Sequence, residues 1–153
     1  MTTPDLNAQP GDPGADSYIT LQESDAMAAL IGLTAWLAAD EEKKKAALRR
    51  AAMDIDTHRF HDAEAAVSGQ ARVFPRRRDG ISIPAAVKWA ALFQAEYLLS
   101  LGKYVPAFLE GPAGAPMKDA RVGSALCTAA FRTLARLFSR SGRYCPPDYG
   151  WSA

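Results

Sequence analysis

Residues 84–102 constrain how this chain can fold more than any other segment. Pro84 stands where the first turn of a helix tolerates proline, and Gly102 is typical of a helix end. Only Lys88 and Glu96 are charged between them. Uncharged side chains line both sides of the predicted helix: Val87, Ala90, Ala91, Gln94, Leu98 and Leu101 on one, and Trp89, Leu92, Phe93 and Leu99 on the other. A helix that is apolar nearly all round is buried on both sides, so we expect one side to pack in its own bundle and the other to face another subunit.

A helix is predicted to begin after Thr20. Thr20 and Glu23 have the spacing of a capping box, in which a hydroxyl and a carboxylate each bind an otherwise free backbone N–H. Gly32 marks the predicted end of this helix. The predicted inner stripe consists of Met27, Leu30 and Ile31.

A short turn or helix is predicted over residues 33–38, around Trp36, and a longer helix after Asp40. Asp40 is a preferred cap residue, and Glu41 and Glu42 stand in the first turn, where the helix dipole favours negative charge. Apolar residues then recur at helical spacing, at Leu48, Ala51, Ala52 and Ile55.

Residues 59–82 show no helical period and contain glycines, a proline and three consecutive arginines. We predict a long loop, with or without a short strand near residues 71–74. A loop of this length in a small domain usually serves as a functional or interaction element.

These patterns predict a mainly α protein: a small helical bundle with a long loop, an extended N-terminal arm, and a C-terminal helix and tail. Apolar residues make up 48% and charged residues 23% of the chain, as in soluble globular proteins. The predicted parts are a flexible arm (1–16), a helical-bundle domain (17–102), a Gly/Pro linker (103–124) and a C-terminal helix with an aromatic tail (125–153).

Charge is unevenly distributed along the chain, although the net charge is only +1. Residues 1–30 contain five acidic residues and no Lys or Arg, whereas residues 118–143 contain six basic residues and one acidic residue. This asymmetry indicates either head-to-tail contact between copies or contact with a charged partner, or simply two solvated surfaces.

Motifs of catalysis are missing from the sequence: it has no P-loop, GxGxxG, GxSxG or HExxH. Cys127 and Cys145 have no metal or redox spacing, and no apolar run approaches the length of a membrane span. We therefore predict that the protein is not an enzyme, has no cofactor and has no membrane partner.

One group of residues has metal-like chemistry. Asp54, His58, His61 and Asp62 share a face if the helix continues through them. The favoured interpretation is a polar helix end, because His58 and Arg59 near a C-terminus complement the helix dipole.

Arg76, Arg77 and Arg78 could contact phosphate. A single-strand groove interleaves basic and aromatic residues, but Phe74 is the one aromatic residue nearby. A solvated loop or a salt-bridging interface loop is therefore favoured.

The last helix is predicted over residues 125–140, with an apolar stripe and, on the opposite face, Arg132, Arg136 and Arg140 at four-residue steps. The tail after it contains Tyr144, Tyr149 and Trp151 among Gly and Pro residues. Aromatic residues of this kind are typical of interface anchors, so we favour docking of the tail on a partner.

The sequence resembles the head–tail adaptor (connector) proteins of tailed bacteriophages over residues 17–101. The segment 17–26 (SYITLQESDA) is similar to the opening of that family. Trp36, the helix start at residues 40–43 and residues 46–60 resemble its second helix. Phe74-Pro75-Arg76 resembles the family's Trp-Pro-Arg loop, with Phe in place of Trp, and Ile83-Pro84 resembles the start of its Ile-Pro helix. Beyond Gly102 the likeness weakens to Arg121-Val122-Gly123.

The resemblance implies a structural virion protein. Its copies would form a ring, usually dodecameric, beneath the portal in the neck, extending the channel for double-stranded DNA and contacting a stopper or tail-completion protein. Such a particle is assembled in the cytoplasm of the host bacterium. We then expect Arg76, Arg77, Arg78, Trp89 and Phe93 to serve a subunit interface or the channel. The residues expected to bind the portal are Arg132, Arg136, Arg140, Tyr144, Tyr149 and Trp151.

Two other functions remain open at this point. Some relatives are labelled as resembling a primosomal single-stranded-DNA-binding domain, which makes a DnaT-like nucleic-acid-binding module the second hypothesis. A DNA-binding module would lose affinity steeply with salt, whereas an adaptor would bind the portal. A small metal-dependent enzyme is the third hypothesis, and it would bind metal stoichiometrically.

Deleting residues 141–153 should weaken portal binding. Loss of a central aromatic anchor typically costs about 2 kcal/mol or more, which is roughly thirtyfold in affinity. A portal pull-down compares the truncated chain with the full chain. Unchanged binding by a folded truncated protein would contradict the anchor role.

Overall fold

The computed structural model describes residues 4–102 and 126–138. Within these ranges the protein is mainly helical, as predicted from the sequence, and contains no strand, only isolated bridges between Phe60 and Phe138 and between Ala65 and Arg76. The helices are α1 (Leu21–Ile31), α2 (Thr34–Ala38), α3 (Glu41–Asp56), α4 (Ala85–Leu101) and α5 (Thr128–Leu134), with a 3-10 turn at Arg77–Asp79.

The predicted capping box starts α1. Thr20 Oγ1 accepts a hydrogen bond from the Glu23 backbone N–H at 3.1 Å, and Glu23 Oε2 accepts one from the Thr20 N–H at 3.1 Å. Gly32 ends the helix with a φ of 69°, a conformation that glycine adopts without steric cost. Both ends of α1 are therefore confirmed.

The predicted inner stripe of α1 is wrong for Leu30 and Ile31, which are 79% and 49% exposed. Met27 is half-buried and packs against the core as predicted, and the buried residues of the helix are Ser24 and Ala28. Ser24 satisfies its own hydroxyl by donating to the Thr20 carbonyl at 2.8 Å. The side of α1 that faces the bundle therefore carries small side chains, which allow the helix to approach its neighbours closely. The large apolar residues at the end of α1 are exposed to solvent.

The predicted short helix around Trp36 is confirmed as α2, but its cap comes from another helix. Leu33, at the N-cap, provides no side-chain hydrogen bond. Instead, the Glu96 carboxylate of α4 accepts hydrogen bonds from the backbone N–H groups of Ala35 (3.1 Å) and Trp36 (2.6 Å). The fully buried Trp36 also donates from its indole N–H to Asp25 at 2.8 Å.

The start of α3 and the end of α4 lie where the sequence indicates. Asp40 caps α3 by accepting from the Lys43 N–H at 2.9 Å, and Gly102 ends α4 with a φ of 68°. Contacts link α4 to α2, α3 and α5 of the same chain. Leu92 and Leu99, on the side expected to face another subunit, are buried within this one chain. A second subunit is therefore not needed to cover them.

Helix α5 is shorter than the 125–140 predicted. It spans Thr128–Leu134, after Cys127 as N-cap, and a turn follows at residues 135–137. Its apolar side, which includes the buried Ala130 and Leu134, packs on the bundle of its own chain. The predicted linker 103–124 and tail 141–153 lie outside the described residues, as do residues 125, 139 and 140 of the predicted helix.

The N-terminal residues 4–16, predicted as a flexible arm, lie against α3 in this structure. Ala15 is buried, and Leu6 packs against the core. Arg49 of α3 forms an ion pair with Asp16, with Nε and Oδ2 at 2.6 Å. None of the helices in the described ranges is long and apolar enough to cross a membrane.

Replacing Glu96 with Ala should lower the free energy of unfolding by about 1–2 kcal/mol, because two N–H groups of α2 lose their acceptor. Chemical denaturation followed by circular dichroism measures this loss. Gln22→Ala, at an exposed position of α1, is the matched control. A Glu96→Ala variant as stable as the control would show that Glu96 does not cap α2.

Candidate functional site

The loop of residues 59–82 is anchored by buried aromatic rings. Phe60 and Phe74 are buried and meet edge to face, with ring centroids 4.8 Å apart. Phe60 also stacks on Phe138 at 5.3 Å, and Phe74 meets Tyr18 at 5.9 Å. The loop is therefore attached to the N-terminal region and to the segment after α5. The predicted short strand at residues 71–74 is not formed.

Hydrogen bonds inside the loop fix its course. The Gln70 side-chain amide donates to the carbonyls of Arg72 (2.8 Å) and Pro75 (2.9 Å), and Pro75 follows a cis peptide bond. The Ala66 N–H also donates to the Pro75 carbonyl, at 3.2 Å. A loop with this much internal bonding can present side chains in fixed positions.

A group of polar side chains attaches the middle of the loop, at Arg72, to the end of α3. Tyr18 donates its hydroxyl to the Asp56 carboxylate, and Arg72 pairs with the same carboxylate at 3.0 Å. Burial raises the pKa of Asp56, and it also raises the pKa of Tyr18. These contacts connect the loop to the end of α3.

The first of the three consecutive arginines points into the protein. Arg76 is 3% exposed and forms a double hydrogen bond with Asp79, from Nε to Oδ2 at 2.8 Å and from Nη2 to Oδ1 at 2.9 Å. Its Nη1 donates to the His61 carbonyl at 2.7 Å, and the guanidinium lies over the Phe74 ring. The hydrogen bonds from Arg76 hold the pKa of Asp79 below its usual value. Arg76, which was expected at a channel or a subunit interface, is thus buried within its own chain.

Arg77 and Arg78 are exposed and remain candidates for that role. Arg77 pairs with Glu64 at 3.0 Å, and Arg78 pairs with Asp62 at 2.7 Å. These four side chains line an open surface cavity of about 500 Å³. The loop therefore presents two exposed ion pairs, with equal numbers of positive and negative groups, rather than a purely basic patch.

Trp89 and Phe93, the other residues expected at a subunit interface, are half-buried and stacked, with ring centroids 5.7 Å apart. Cys127 contacts the same stretch of α4, because its thiol donates to the Phe93 carbonyl at 3.6 Å. Only part of each ring is available to a partner.

The residues expected to bind a portal are described only in part. Arg132 and Arg136 are exposed on and after α5. The remaining four, Arg140, Tyr144, Tyr149 and Trp151, lie outside the described residues.

The metal-like group is not assembled in the described parts of the chain, where no three His, Cys, Asp or Glu side chains are placed to hold an ion. His58 Nδ1 lies 3.1 Å from the Asp54 carbonyl, and its ring packs on Phe138. Burial lowers the pKa of His58, which favours the neutral ring.

A buried polar chain joins three helices, and the sequence gives little sign of it. Gln94 of α4 donates from Nε2 to Asp54 Oδ2 at 3.0 Å and accepts from the Cys127 N–H at 2.6 Å. Arg50 pairs with Asp54 at 3.2 Å, while its Nη1 is buried with no acceptor among residues 4–102 and 126–138. Burial is the larger influence on Asp54 and raises its pKa. Since Gln94 stands in an apolar stripe, sequence reading treats it as a core position.

An exposed apolar surface is a second feature that sequence reading missed. Five large side chains at the ends of α1 and α4 and in α2 are between 43% and 79% exposed, and we call them the apolar corner: Leu30, Ile31, Leu37, Tyr97 and Leu101. The Glu96 cap places α2 beside the last turns of α4, and α1 contacts α2. The apolar corner therefore lies on three helices, of which α2 contacts both α1 and α4.

Comparison with known proteins places this small helical chain in a family. Residues 7–108, about two thirds of the chain, match the model of a family described as putative DnaT-like ssDNA binding protein, and the chain belongs to this family. No curated protein and no solved structure matches it. The family description names single-stranded DNA and does not mention a phage connector.

Replacing Asp79 with Asn should destabilise the protein by about 3 kcal/mol at neutral pH, because the buried Arg76 loses its charged partner. The folded pKa of Asp79 lies below its ordinary value of 3.8. Its stabilising contribution is therefore complete above that value and is lost as the pH falls through the folded pKa. The difference between wild type and Asp79→Asn should thus shrink below about pH 4.

Asp62→Asn is the matched control, because it removes the partner of the exposed Arg78 and should cost less than about 0.5 kcal/mol. Unfolding free energies measured from pH 3 to pH 7 make the comparison. Equal losses in the two variants would contradict the structural role of the Arg76–Asp79 pair.

Proposed function

We propose that this chain is a structural virion protein, a head–tail adaptor that acts by protein–protein contact. In this proposal, copies form a ring, expected to be a dodecamer, beneath the portal in the neck of a tailed phage. The ring extends the channel for packaged double-stranded DNA and joins the portal to a stopper or tail-completion protein. It is assembled in the host cytoplasm and requires neither catalysis nor a cofactor.

The observation that carries this proposal is the apolar corner. Leu30 is 79% exposed, and Leu37 is 52% exposed. A group of large exposed apolar side chains is typical of a surface that contacts another protein. The resemblance of residues 17–101 to adaptor proteins then gives the kind of partner, namely a portal and neighbouring copies.

The charge distribution also favours protein contact. Of the thirteen Lys and Arg residues in the described ranges, ten form ion pairs with acidic groups of the same chain. A surface that binds a nucleic-acid backbone needs cations that are not already neutralised. Arg59 and Arg136 are exposed.

A single-stranded-DNA-binding module is the second candidate, and the family description is the observation that favours it. Binding of this kind uses aromatic platforms beside a basic groove. Among the described aromatic residues, Tyr97 is the one that is exposed, and it belongs to the apolar corner.

Charge introduced at the apolar corner should prevent assembly with the portal. We expect a Leu30→Glu/Leu37→Glu variant to remain folded, because both side chains are exposed, but to lose ring formation on the portal. Ile81→Glu is the matched control, because Ile81 is 75% exposed but lies just before α4 begins, away from the apolar corner. Electron microscopy of each protein mixed with its portal measures the outcome.

The same proteins, titrated with a labelled oligothymidine at increasing salt, test the second candidate. Tight binding that weakens steeply with salt, without a portal complex, would replace the adaptor proposal with the DNA-binding one. One isolated copy per portal would rule out the ring.

A further inference from the structure

Residues 4–8, which we call the docking segment, are held on α3 mainly by two basic side chains. Arg49 Nη2 donates to the carbonyls of Pro4 (2.6 Å) and Asp5 (3.1 Å). Lys45, whose side chain is only 7% exposed, pairs with the Asp5 carboxylate at 3.0 Å and with Glu41 at 2.7 Å. The surface of α3 therefore recognises an extended, acidic piece of polypeptide.

The other half of this attachment is a backbone pairing. The Asn7 carbonyl accepts from the N–H groups of Asp16 (2.9 Å) and Ser17 (3.2 Å), and the Asn7 N–H donates to Asp16 Oδ1 at 2.8 Å. The other oxygen of Asp16 pairs with Arg49. We call Lys45, Arg49, Asp16 and Ser17 the receptor site.

A turn of residues 9–14 connects the docking segment to the receptor site of the same chain. It contains Pro10 and Pro13, and proline disfavours the helical conformation in the residue before it, so this connection can extend. If it opens, the docking segment leaves its own receptor site and can occupy the same site on a neighbour. All the hydrogen bonds and ion pairs of the docking segment would form again in the neighbour's site.

Opening the turn costs few contacts. The interactions lost are the hydrogen bond from the Ala71 N–H to the Asp12 carbonyl (3.2 Å), the close packing of Gly11 on Val67, and hydrogen bonds within the turn. Exposed ion pairs such as that of Asp5, whose side chain is 97% exposed, contribute at most about 1 kcal/mol each. The hydrogen bonds, ion pairs and Leu6 packing of the docking segment are regained on the neighbour, so the net cost of exchange is that of opening the turn.

We propose that copies of this chain exchange their docking segments, so that residues 4–8 of one copy occupy the receptor site of the next. Exchange of an identical element is a low-cost route to association, because no new interface has to evolve. The inference depends on the proposed ring in one respect: the ring is where we expect the exchange to occur. Adjacent copies in a ring raise the effective concentration of the docking segment near its receptor site.

The chemistry of the receptor site favours a polypeptide over a nucleic acid. The Oδ1 atom of Asp16 accepts a hydrogen bond, and the Asn7 backbone N–H donates it. A phosphate group has no N–H and cannot replace this donor. Glu41 and Asp16 would also repel a phosphate group placed on Lys45 and Arg49. A second copy supplies the carbonyls, the carboxylate and the N–H in the arrangement already observed.

A complementation experiment tests the exchange. An Arg49→Glu variant has a free docking segment and a defective receptor site, whereas a variant lacking residues 1–8 has an empty receptor site and no segment. Each alone should sediment as a monomer, and an equimolar mixture should form a one-to-one complex with twice the mass. Sodium chloride at about 1 M should weaken the complex, because exposed ion pairs are screened.

The control mixes Arg49→Glu with a variant that lacks residues 1–8 and also carries Arg49→Glu, so that no intact receptor site is present. An Asp5→Arg variant places a positive charge beside Lys45 and Arg49, which should prevent its own docking segment from binding. It can replace the truncated variant, so that the test is repeated with a chain of full length. A mixture that remains monomeric while all variants keep their circular dichroism would overturn the exchange. So would equal association in the control, or tighter oligothymidine binding by the shortened protein than by the full chain. Because no portal is present, this result is independent of whether the adaptor proposal holds.

Discussion

The packing of other helices around α4 governs the rest of the structure. Helices α2, α3 and α5 pack on it, and three of its polar side chains each fix a neighbouring element. Lys88 pairs with Glu23 of α1 at 2.8 Å, Glu96 caps α2, and Gln94 joins Asp54 of α3 to the start of α5. An apolar helix alone would allow its neighbours to slide, because hydrophobic contact is not directional. Hydrogen bonds from these three positions set where each neighbour lies.

Local signals in the sequence were sufficient to predict most of the helix ends, whereas interactions between distant residues were not predictable. Thr20, Asp40 and Gly102 act through backbone groups within a few residues, so their roles can be read directly. Glu96 caps a helix that lies about sixty residues earlier in the chain. Arg76 looks like part of a surface charge run, but its partner Asp79 allows it to be buried. Candidate surfaces were likewise predictable only where the signal is local. Arg77 and Arg78 could be selected as candidate interface residues from the arginine run, whereas the apolar corner depends on how separate helices pack and was not predicted.

The acidic N-terminal side of the charge asymmetry is balanced within one chain. Acidic residues near the N-terminus pair with basic residues of α3: Asp5 with Lys45, Asp16 with Arg49 and Asp25 with Lys44. Contact between copies is therefore not required to balance these charges. The pairing is nevertheless open to exchange, since an identical partner on a neighbouring copy offers the same interaction without a change in net charge.

The two candidate functions make different demands on the loop of residues 59–82. A nucleic-acid surface needs its arginines unopposed, but burial of Arg76 and the pairing of Arg77 with Glu64 leave little positive potential here. A protein interface has another use for such pairs, because Arg77 and Arg78 can change from their own acidic partners to those of a neighbour at little net cost. Since Phe60, Phe74 and the Arg76–Asp79 pair hold the loop in place, these exposed charges are presented in a fixed arrangement. A rigid loop with balanced charge suits recognition of another protein better than binding along a flexible polyanion.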